Sequence, residues 1–499
     1  MKLTALLKRV GAEWTESAAD VTITGISFDS RATTRGDLFV AVAGAAADGH
    51  EFVADASRKG AVAVVGERSP GESQCPQPYF RVENSRRALA ILAQEFYGNP
   101  SRDLLVAGVT GTNGKTSTVL LVAAVLERGG RTASVLTTLE YRVGDRLVAA
   151  SQTTPDPVLI ARLMRETRDA NGAAAVIESS SHALDQHRVD GIEFDAAVFT
   201  NLTQDHLDYH GSMEEYFSAK LRLFQKLDVQ GAKHHEKVAV LNALDPASAR
   251  IASSIRAKKM FYGKGEDCDV RAADVVVEAG RTSFTLTVPG ATQRVALKLA
   301  GEHNVLNALA AACIGVHLQM PAEAIVEGIE SVESVPGRFE RVDCGQPFAV
   351  VVDYAHTDDG LRNLMLAARA MTSERIIVLF GCGGDRDRGK RPKMGRVAVT
   401  LGDYAIITSD NPRSEDPESI ADEVEQGVLA EGKEKGADYE IMVDRGEAIE
   451  RAISMASPGD LVLLAGKGHE TYQIFADRTI EFDDRVVARE ILGQKGWQR

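Results

Sequence analysis

Gly108–Ser117 reads GVTGTNGKTS and lies between an apolar run, Asp103–Thr110 (DLLVAGVT), and a helical pattern, Ser117–Arg128 (STVLLVAAVLER). A glycine-rich turn between a strand and a helix presents backbone N–H groups to phosphate, and the helix N-terminus adds partial positive charge. In that frame Gly111, Thr112, Asn113, Gly114 and Ser117 belong to a nucleotide cradle, Lys115 reaches the terminal phosphates, and the Thr116 hydroxyl serves Mg2+. The spacing departs from the common G-x4-GK[ST] pattern, because the residue five before Gly114 is Val109. The strand–loop–helix setting carries the reading, against the alternative of a structural glycine turn.

Outward from this loop, short β-branched runs alternate with helical patterns. Arg131–Leu139, Ala173–Ser179, Ala196–Leu202 and Lys237–Leu241 are further strand candidates, and Tyr216–Leu227 is helical in pattern. Continuous apolar strands separated by helices predict a mostly parallel sheet covered on both faces. The pattern resumes after Pro336–Gly337 with Phe348–Asp353, Arg375–Phe380, Tyr404–Thr408 and Leu461–Ala465, and with a helix near Glu418–Leu429. The first hundred residues hold shorter strands (VTITGISFDSR, DLFVAVAG, AVAVVGE) after a predicted amphipathic helix in MKLTALLKRVGAEW, and Gly98-Asn99-Pro100 reads as a linker. The expected fold class is α/β in three domains, 1–99, 100–335 and 336–499. A length of 499 residues agrees at about 150 residues per domain.

Composition narrows the function. Hydrophobic residues make up 44% and charged residues 26%, which excludes a largely disordered chain. No apolar run reaches the roughly 18 residues of a membrane span, and the charged start is unlike a secretory signal. The net charge of −14 argues against a general nucleic-acid binder. Five scattered cysteines (Cys75, Cys268, Cys313, Cys344, Cys382) contain no CxxC pair, so neither a zinc ribbon nor a disulfide framework is expected and a reducing cytoplasm is the simplest setting.

Nearly every predicted strand ends in a polar or glycine cluster: GTNGKT, TTL, ESSSH, NLTQDH, DYAH, GCGGDRD, TSDNPR and GKGHE. Ligands bind beyond the carboxyl ends of strands in open parallel sheets, so two sheets suggest two active edges facing one cleft. Glu178 ends a strand and is placed to orient Mg2+, or is an ordinary strand-end acid. Asp205-His206 follows another strand end, with a capping Asp and a packed His as the plain alternative. Lys220, taken alone, reads as a solvated lysine. The basic run Gly381–Lys393 contains Arg386, whose guanidinium suits carboxylate or phosphate. Asp410, Asn411, Pro412 and Arg413 suit a zwitterion, the acid taking an ammonium and the arginine a carboxylate, or form a simple Asx-Pro turn. Gly466–Glu470 repeats the theme. The physics to this point supports a Mg2+-dependent nucleotide-using enzyme with anion-binding loops.

Taken together and in order, GVTGTNGKTS, SSSHALDQHRV, NLTQDHLDYHGSMEEYFSAK, GEHNVLNALAA, PGRFE, DYAHT, GCGGDRDRGKRP, SDNPR and AGKGHE resemble the Mur ligase family of peptidoglycan amino-acid ligases over nearly the whole chain. The resemblance implies a small N-terminal α/β domain binding a UDP-linked substrate, a central P-loop ATPase domain, and a C-terminal Rossmann-like α/β domain binding the incoming amino acid. It implies that ATP phosphorylates a carboxylate and that an amine displaces the phosphate. Lys115, Glu178, His206 and Lys220 would be catalytic. Thr116, Glu178, His206 and Lys220, the last as a carbamate, would serve two Mg2+ ions. Asn304, Arg338 and Asp353 would contact ATP. Phe28, Ser30, Gln152, Thr153, Thr154, Ser180, Gln186 and Arg188 would hold the UDP-sugar-peptide, and Arg386, Asp410, Asn411, Pro412, Arg413, Gly466 and Glu470 the amino acid. DNPR marks meso-diaminopimelate over L-lysine in the family, so the implied reaction joins meso-diaminopimelate to UDP-MurNAc-L-Ala-D-Glu in a cytoplasmic monomer, without nucleic-acid or membrane partners.

Two departures stand out. The first-domain loop Gly44–Gly49 is GAAADG where the family often has a polar His-Gln segment, and Asp358 follows DYAHT where proline is usual. The alternatives are an L-lysine-adding or folylpolyglutamate-like relative, and a nucleotide-binding regulator without ligase activity.

Overall fold

The computed structural model describes residues 1–12, 21–44, 47–68, 78–278 and 280–497. Three parallel-centred sheets follow one another along the chain. The first has four strands in sequential order, Gly25–Ser27, Asp37–Val40, Ala63–Gly66 and Tyr79–Arg81, all paired parallel. Alternate residues serve opposite faces: Leu38, Val40 and Val65 pack with Leu89 and Leu92 of the helix Ser85–Phe96, while Phe39 and Val64 pack with Val53 and Ala56.

The second sheet has eleven strands. Its parallel centre runs Lys258–Gly263, Val238–Asn242, Ala196–Phe199, Leu105–Thr110, Ala174–Glu178 and Ala133–Leu136. Val109, Val176, Val198 and Val240 face one core with the helices Lys115–Arg128 and Glu302–His317. Val106, Ile177, Phe199 and Leu241 face the other, with Pro157–Asp169 and Met213–Gln225. Antiparallel strands extend both edges: Glu140–Val143 with Arg146–Ala149, and Val270–Glu278 with Arg281–Val288 and Ala291–Leu297. The third sheet runs Glu340–Arg341, Ala349–Asp353, Leu461–Ala465, Ile376–Phe380, Tyr404–Ile407, Tyr439–Ile441, parallel throughout except for its first pair.

Some local expectations need correction. The first helix covers only Leu3–Leu7, and Gly11 follows with φ +61, a left-handed turn a helix cannot continue through; Glu13 and Trp14 lie outside the described residues. Gly98-Asn99-Pro100, read as a linker, forms a tight corner: Asn99 is left-handed, its N–H donates to Gln94 O at 2.7 Å, and Pro100 opens a short 3-10 turn. The strand expected over Arg131–Leu139 stops at Leu136, because the Thr137 hydroxyl accepts from the N–H groups of Leu139 and Glu140 and turns the chain. Four cysteines, Cys268, Cys313, Cys344 and Cys382, are free thiols, while Cys75 lies outside the described residues, as do Ala45 and Ala46 of the GAAADG loop. No described helix is long and apolar enough to cross a membrane.

Candidate active site

The registers of the central sheet assemble the site. Val109 lies opposite Glu178, and Thr110 opposite Phe199, so the glycine loop, Glu178 and the segment from Thr200 leave the sheet side by side. The loop is stitched to its neighbour: Thr112 N–H donates to Asn201 O at 2.9 Å, Asn113 N–H to Asn201 Oδ1 at 2.8 Å, and the Thr200 hydroxyl to Asn113 O at 2.7 Å. Glycine is required twice. Gly111 has φ +152 and a Cβ there would sit 1.8 Å from Thr200 Oγ1; Gly114 has φ +83 and a Cβ would sit 2.5 Å from Asn307 Oδ1. The Lys115 ammonium folds back on Thr112 O at 2.8 Å and Gly111 O at 3.2 Å. Desolvation lowers its pKa, and Glu178 pulls the other way.

Glu178 is buried, and its Oε2 accepts from the Thr116 hydroxyl at 2.9 Å and from Thr138 N–H at 3.2 Å. A hydroxyl and a carboxylate oxygen in contact are the hard donors Mg2+ takes, and Mg2+ commonly keeps water and substrate phosphate for its remaining positions.

Two adjoining clefts open from this edge. The first, about 300 Å3, is lined by Asn113, Gly114, Thr116, Ser117 and Asn304 from the central part and by Arg338 and Asp353 from the C-terminal part. Asn304 accepts from Asn307 Nδ2 at 3.0 Å, and Asn307 accepts from Thr118 at 3.1 Å, which ties this wall to the P-loop helix. The Asp353 carboxylate caps the N–H groups of Phe339 (2.7 Å) and Ala355 (2.8 Å); burial raises its pKa, with Arg338 opposing. Arg338 lies over the Tyr354 ring, 4.6 Å from its centroid.

The second cleft, about 350 Å3, is lined by Lys115, Glu178, Gln152, Thr153, Thr154, Ser180, Arg188 and His206 on one side and by Tyr354, His356 and Arg386 on the other. The wall made by the central part is one hydrogen-bonded unit. The Thr154 hydroxyl donates to Glu178 O at 2.5 Å and accepts from Ser180 N–H at 3.0 Å, and Arg188 donates to Thr154 O at 2.8 Å and to Gln186 Oε1 at 3.1 Å. Lys115, Arg188, Arg338 and Arg386 make this cleft basic inside an acidic chain. Phe28 and Ser30 follow the first strand of the N-terminal sheet and line neither cleft.

His206 has a left-handed backbone (φ +56), and its ring meets His182 edge-on at 4.7 Å. Burial pushes His206 down to about 2 and His182 to about 4, so both are neutral imidazoles near pH 7. Lys220 is 1% exposed, so the solvated reading of its sequence position is wrong. The apolar stripe Tyr216, Lys220, Leu223, Leu227 turns it inward, where it donates to Gly111 O at 2.7 Å and lies over the Tyr216 ring at 4.2 Å. Burial holds its ammonium well below the ordinary lysine value.

The remaining candidates gather at the carboxyl edge of the third sheet. Asn411 Nδ2 donates to Glu470 Oε2 at 2.8 Å, and the buried Lys467 ammonium reaches Glu470 at 3.1 Å. Gly466 has φ +112, and a Cβ there would meet Asp410 Oδ2 at 2.7 Å, so the two loops touch. Arg413, after Pro412, is left-handed and donates to Gly384 O at 2.7 Å; a Cβ on Gly383 would find Arg413 Nη1 at 2.9 Å and Arg386 Cγ at 3.6 Å. Of this group Arg386 alone lines the described clefts.

Sequence reading passed over the contacts that join the two edges. Asp205 is buried among His206 (3.3 Å), His356 (3.6 Å) and Lys390 (3.5 Å). Burial alone would raise its carboxyl, but the Lys390 ammonium and the imidazoles hold it well below the usual range. Asn113 Nδ2 donates to Asp359 at 2.9 Å, and Gln204 Nε2 donates to Asp387 at 2.9 Å while accepting from Lys393. The DH pair and the basic loop were visible signals, but nothing in the sequence pairs them with each other.

Comparison with known proteins agrees with this geometry. Residues 22–97 match the family profile described as "Mur ligase family, catalytic domain", 109–315 "Mur ligase middle domain", and 337–468 "Mur ligase, glutamate ligase domain". The chain is 44% identical over 481 residues to the "UDP-N-acetylmuramoyl-L-alanyl-D-glutamate--2,6-diaminopimelate ligase" of Solibacter usitatus, covering 96% of each chain. It is 44% identical over 497 residues to the protein so named in Geobacillus kaustophilus, covering 99% of this chain and all of the relative. A solved structure of a ligase of that name superposes with TM-score 0.68 at 30% identity over 98% of this chain and 99% of the other. The MurF ligase of Thermotoga maritima shares the fold at TM-score 0.65 and 22% identity, over 95% of this chain and 97% of that one. With three profiles in order and full-length relatives at this identity, the chain belongs to the Mur ligase family.

Proposed function

We propose that this protein is an ATP-dependent ligase that joins meso-diaminopimelate to UDP-N-acetylmuramoyl-L-alanyl-D-glutamate in the assembly of a peptidoglycan precursor. The observation that carries the reading is the cleft itself: a glycine-rich loop on one sheet edge faces Arg338, Tyr354, His356 and Arg386 from another, within a chain 44% identical to ligases of that name.

A carboxylate at neutral pH is a poor electrophile. The γ-phosphoryl group of ATP passes to a D-glutamate carboxylate oxygen and ADP leaves. The amine of diaminopimelate, having lost a proton, then forms the C–N bond as the C–O bond to phosphate breaks. Anionic reactants must converge, so charge neutralisation is the main demand on the site. Gly111 to Ser117 cradle the phosphates, and Lys115 neutralises the terminal ones. Asn304, Arg338 and Asp353 line the cleft for the rest of ATP. Gln152, Thr153, Thr154, Ser180, Gln186 and Arg188 hold the UDP-linked peptide, with Phe28 and Ser30 toward its uridine end. Thr116 and Glu178 would hold one Mg2+, and His206 with a carbamate on Lys220 a second, and these ions would supply further charge neutralisation. A buried amine that pairs with no carboxylate among the described residues favours the neutral form, which is the form that adds CO2.

Diaminopimelate differs from lysine by a second carboxylate beside its distal ammonium. Arg413 and Arg386 take the carboxylate, and Asp410, Asn411 and Glu470 take the ammonium. Lysine would leave the arginine unpaired, which is how a polar site rejects a close analogue. Both halves of the cleft come from one chain, which supports a monomer; the free thiols Cys268, Cys313, Cys344 and Cys382 support the cytoplasm. The deciding experiment is phosphate release with UDP-MurNAc-L-Ala-D-Glu and ATP, offering diaminopimelate and L-lysine separately. Release with diaminopimelate alone is expected; release only with lysine, or with neither, defeats the proposal.

A further inference from the structure

Behind the amino-acid edge, and outside both clefts, lies a fully buried ion pair. Arg445 and Asp484 open the helices Arg445–Met455 and Asp484–Gln494, and both side chains are 0% exposed. Asp484 takes the guanidinium through both oxygens, Nε to Oδ1 at 2.8 Å and Nη2 to Oδ2 at 2.6 Å. The remaining donors leave the pair: Nη2 reaches Ala465 O at 3.0 Å and Nη1 reaches Ser409 O at 3.4 Å. Those carbonyls immediately precede Gly466 and Asp410. They come from strands that are not neighbours, because Ile376–Phe380 lies between Leu461–Ala465 and Tyr404–Ile407. The two strands pair with Ile376–Phe380 and not with each other, and Arg445 bonds directly to the ends of both.

At the front, the loops are joined by Asn411 to Glu470, groups that an incoming ammonium competes for. Once substrate takes those groups, the rear bonds from Arg445 remain to hold the spacing, together with Gln473 on Asp410 O (2.7 Å) and Arg413 N–H on Ile474 O (3.0 Å). Charge matters as well. Arg445 is near enough to Asp410 and Glu470 for each to raise its pKa, after Asp484. Asp484 cancels the guanidinium charge, so the two acids keep their attraction for an ammonium.

We propose that Arg445, neutralised by Asp484, is a positioning and specificity-determining residue for diaminopimelate, fixing the Asp410–Arg413 loop against the Gly466–Glu470 loop without touching substrate. The inference rests on the reading of these loops as the amino-acid site. Arg445→Lys keeps the charge but cannot span both carbonyls and Asp484; Asp484→Asn keeps the shape but leaves the guanidinium charge uncompensated. Arg445→Lys is expected to raise the KM for diaminopimelate at least tenfold, with the KM values for ATP and for UDP-MurNAc-L-Ala-D-Glu, and kcat at saturation, within twofold. Asp484→Asn is expected to raise the same KM severalfold and to narrow the preference over L-lysine. A merely structural strut would lower the melting temperature and move all three KM values together or none of them, and either result overturns the proposal. Failure of both variants to fold also overturns it, since the pair would then be a condition of the core. Arg413→Ala separates the two levels. If it leaves the diaminopimelate KM unchanged, the site reading has failed; if it raises that KM while Arg445→Lys does not, this inference alone has failed.

Discussion

The two edges of the cleft are built differently. The P-loop edge is made of backbone: Gly111 and Gly114 are conformations few other residues could adopt, and the loop is stitched to Asn201 and Thr200 largely by main-chain groups. The other edge, proposed above to take the amino acid, is made of side chains held by other side chains, as with Asn411 on Glu470 and Lys467 on both. Backbone N–H groups suit a phosphate that many enzymes share. Discrimination between diaminopimelate and lysine needs charges placed at the far end of a small molecule, and such charges must be braced.

Substitutions can break or sharpen this contrast. The largest effect is expected on the central edge, where Lys220→Ala should cut kcat roughly 100- to 1,000-fold, the scale of losing one preorganised electrostatic group. Added formate or acetate should restore part of the rate, and full activity without either would remove the carbamate. On the other edge, Arg413→Ala should reduce kcat/KM for diaminopimelate about 100-fold with the KM for ATP unchanged. Steady-state kinetics with both amino acids checks this, and an unaltered preference over lysine would refute it.

A smaller effect concerns acid. His303 in the first cleft and His469 beside the Tyr354 ring are each pushed down to about 4, chiefly by burial, with Arg338 adding to both. Their unfolded values lie near 6.5. The unfolded chain therefore binds more protons between these limits, so their contribution to stability is complete above pH 6.5 and is lost as the pH falls toward 4. The melting temperature should drop across that window, and His303→Gln should flatten the drop; an unchanged slope would exclude His303 as a source. The smallest effect is expected at the seam. Gln204→Ala removes the contacts to Asp387 and Lys393 and should cost about 1 kcal/mol or less in urea unfolding, with each KM nearly unchanged. A larger loss would mean that the edges are held together more tightly than their few bonds indicate.

What the sequence disclosed follows the same division. The parallel strands were legible because runs such as Leu461–Ala465 are buried on both faces and therefore continuously apolar. The antiparallel extensions, including Glu140–Val143 with Arg146–Ala149, were not: the second of these is mostly exposed and carries no apolar run to notice. Lys220 could have been placed inside from residues alone, since it continues the stripe of Tyr216 and Leu223. Its inward position was obscured by the habit of reading a lysine as solvated. Arg445 gave no such signal. Its partner Asp484 is distant in sequence, and an arginine at the start of a helix looks ordinary until the fold closes around it. The contacts of Asp205 with His356 and Lys390 were hidden for the same reason, both partners arriving from the third sheet while Asp205 follows a strand of the second.

The strand order of the third sheet has a consequence for how the protein is made. Leu461–Ala465 lies between Ala349–Asp353 and Ile376–Phe380, although Tyr404–Ile407 and Tyr439–Ile441 precede it in the chain. A nascent chain emerging from the ribosome has both flanking strands long before it has the one that joins them. Until then the apolar faces of Val350–Val352 and Ile377–Leu379 border a gap one strand wide, which is an invitation to chaperones or to neighbouring chains. The central sheet can be complete while this one is still two pieces, and because Arg338 and Asp353 line the first cleft from this side, that cleft is finished only after the last strand is in place.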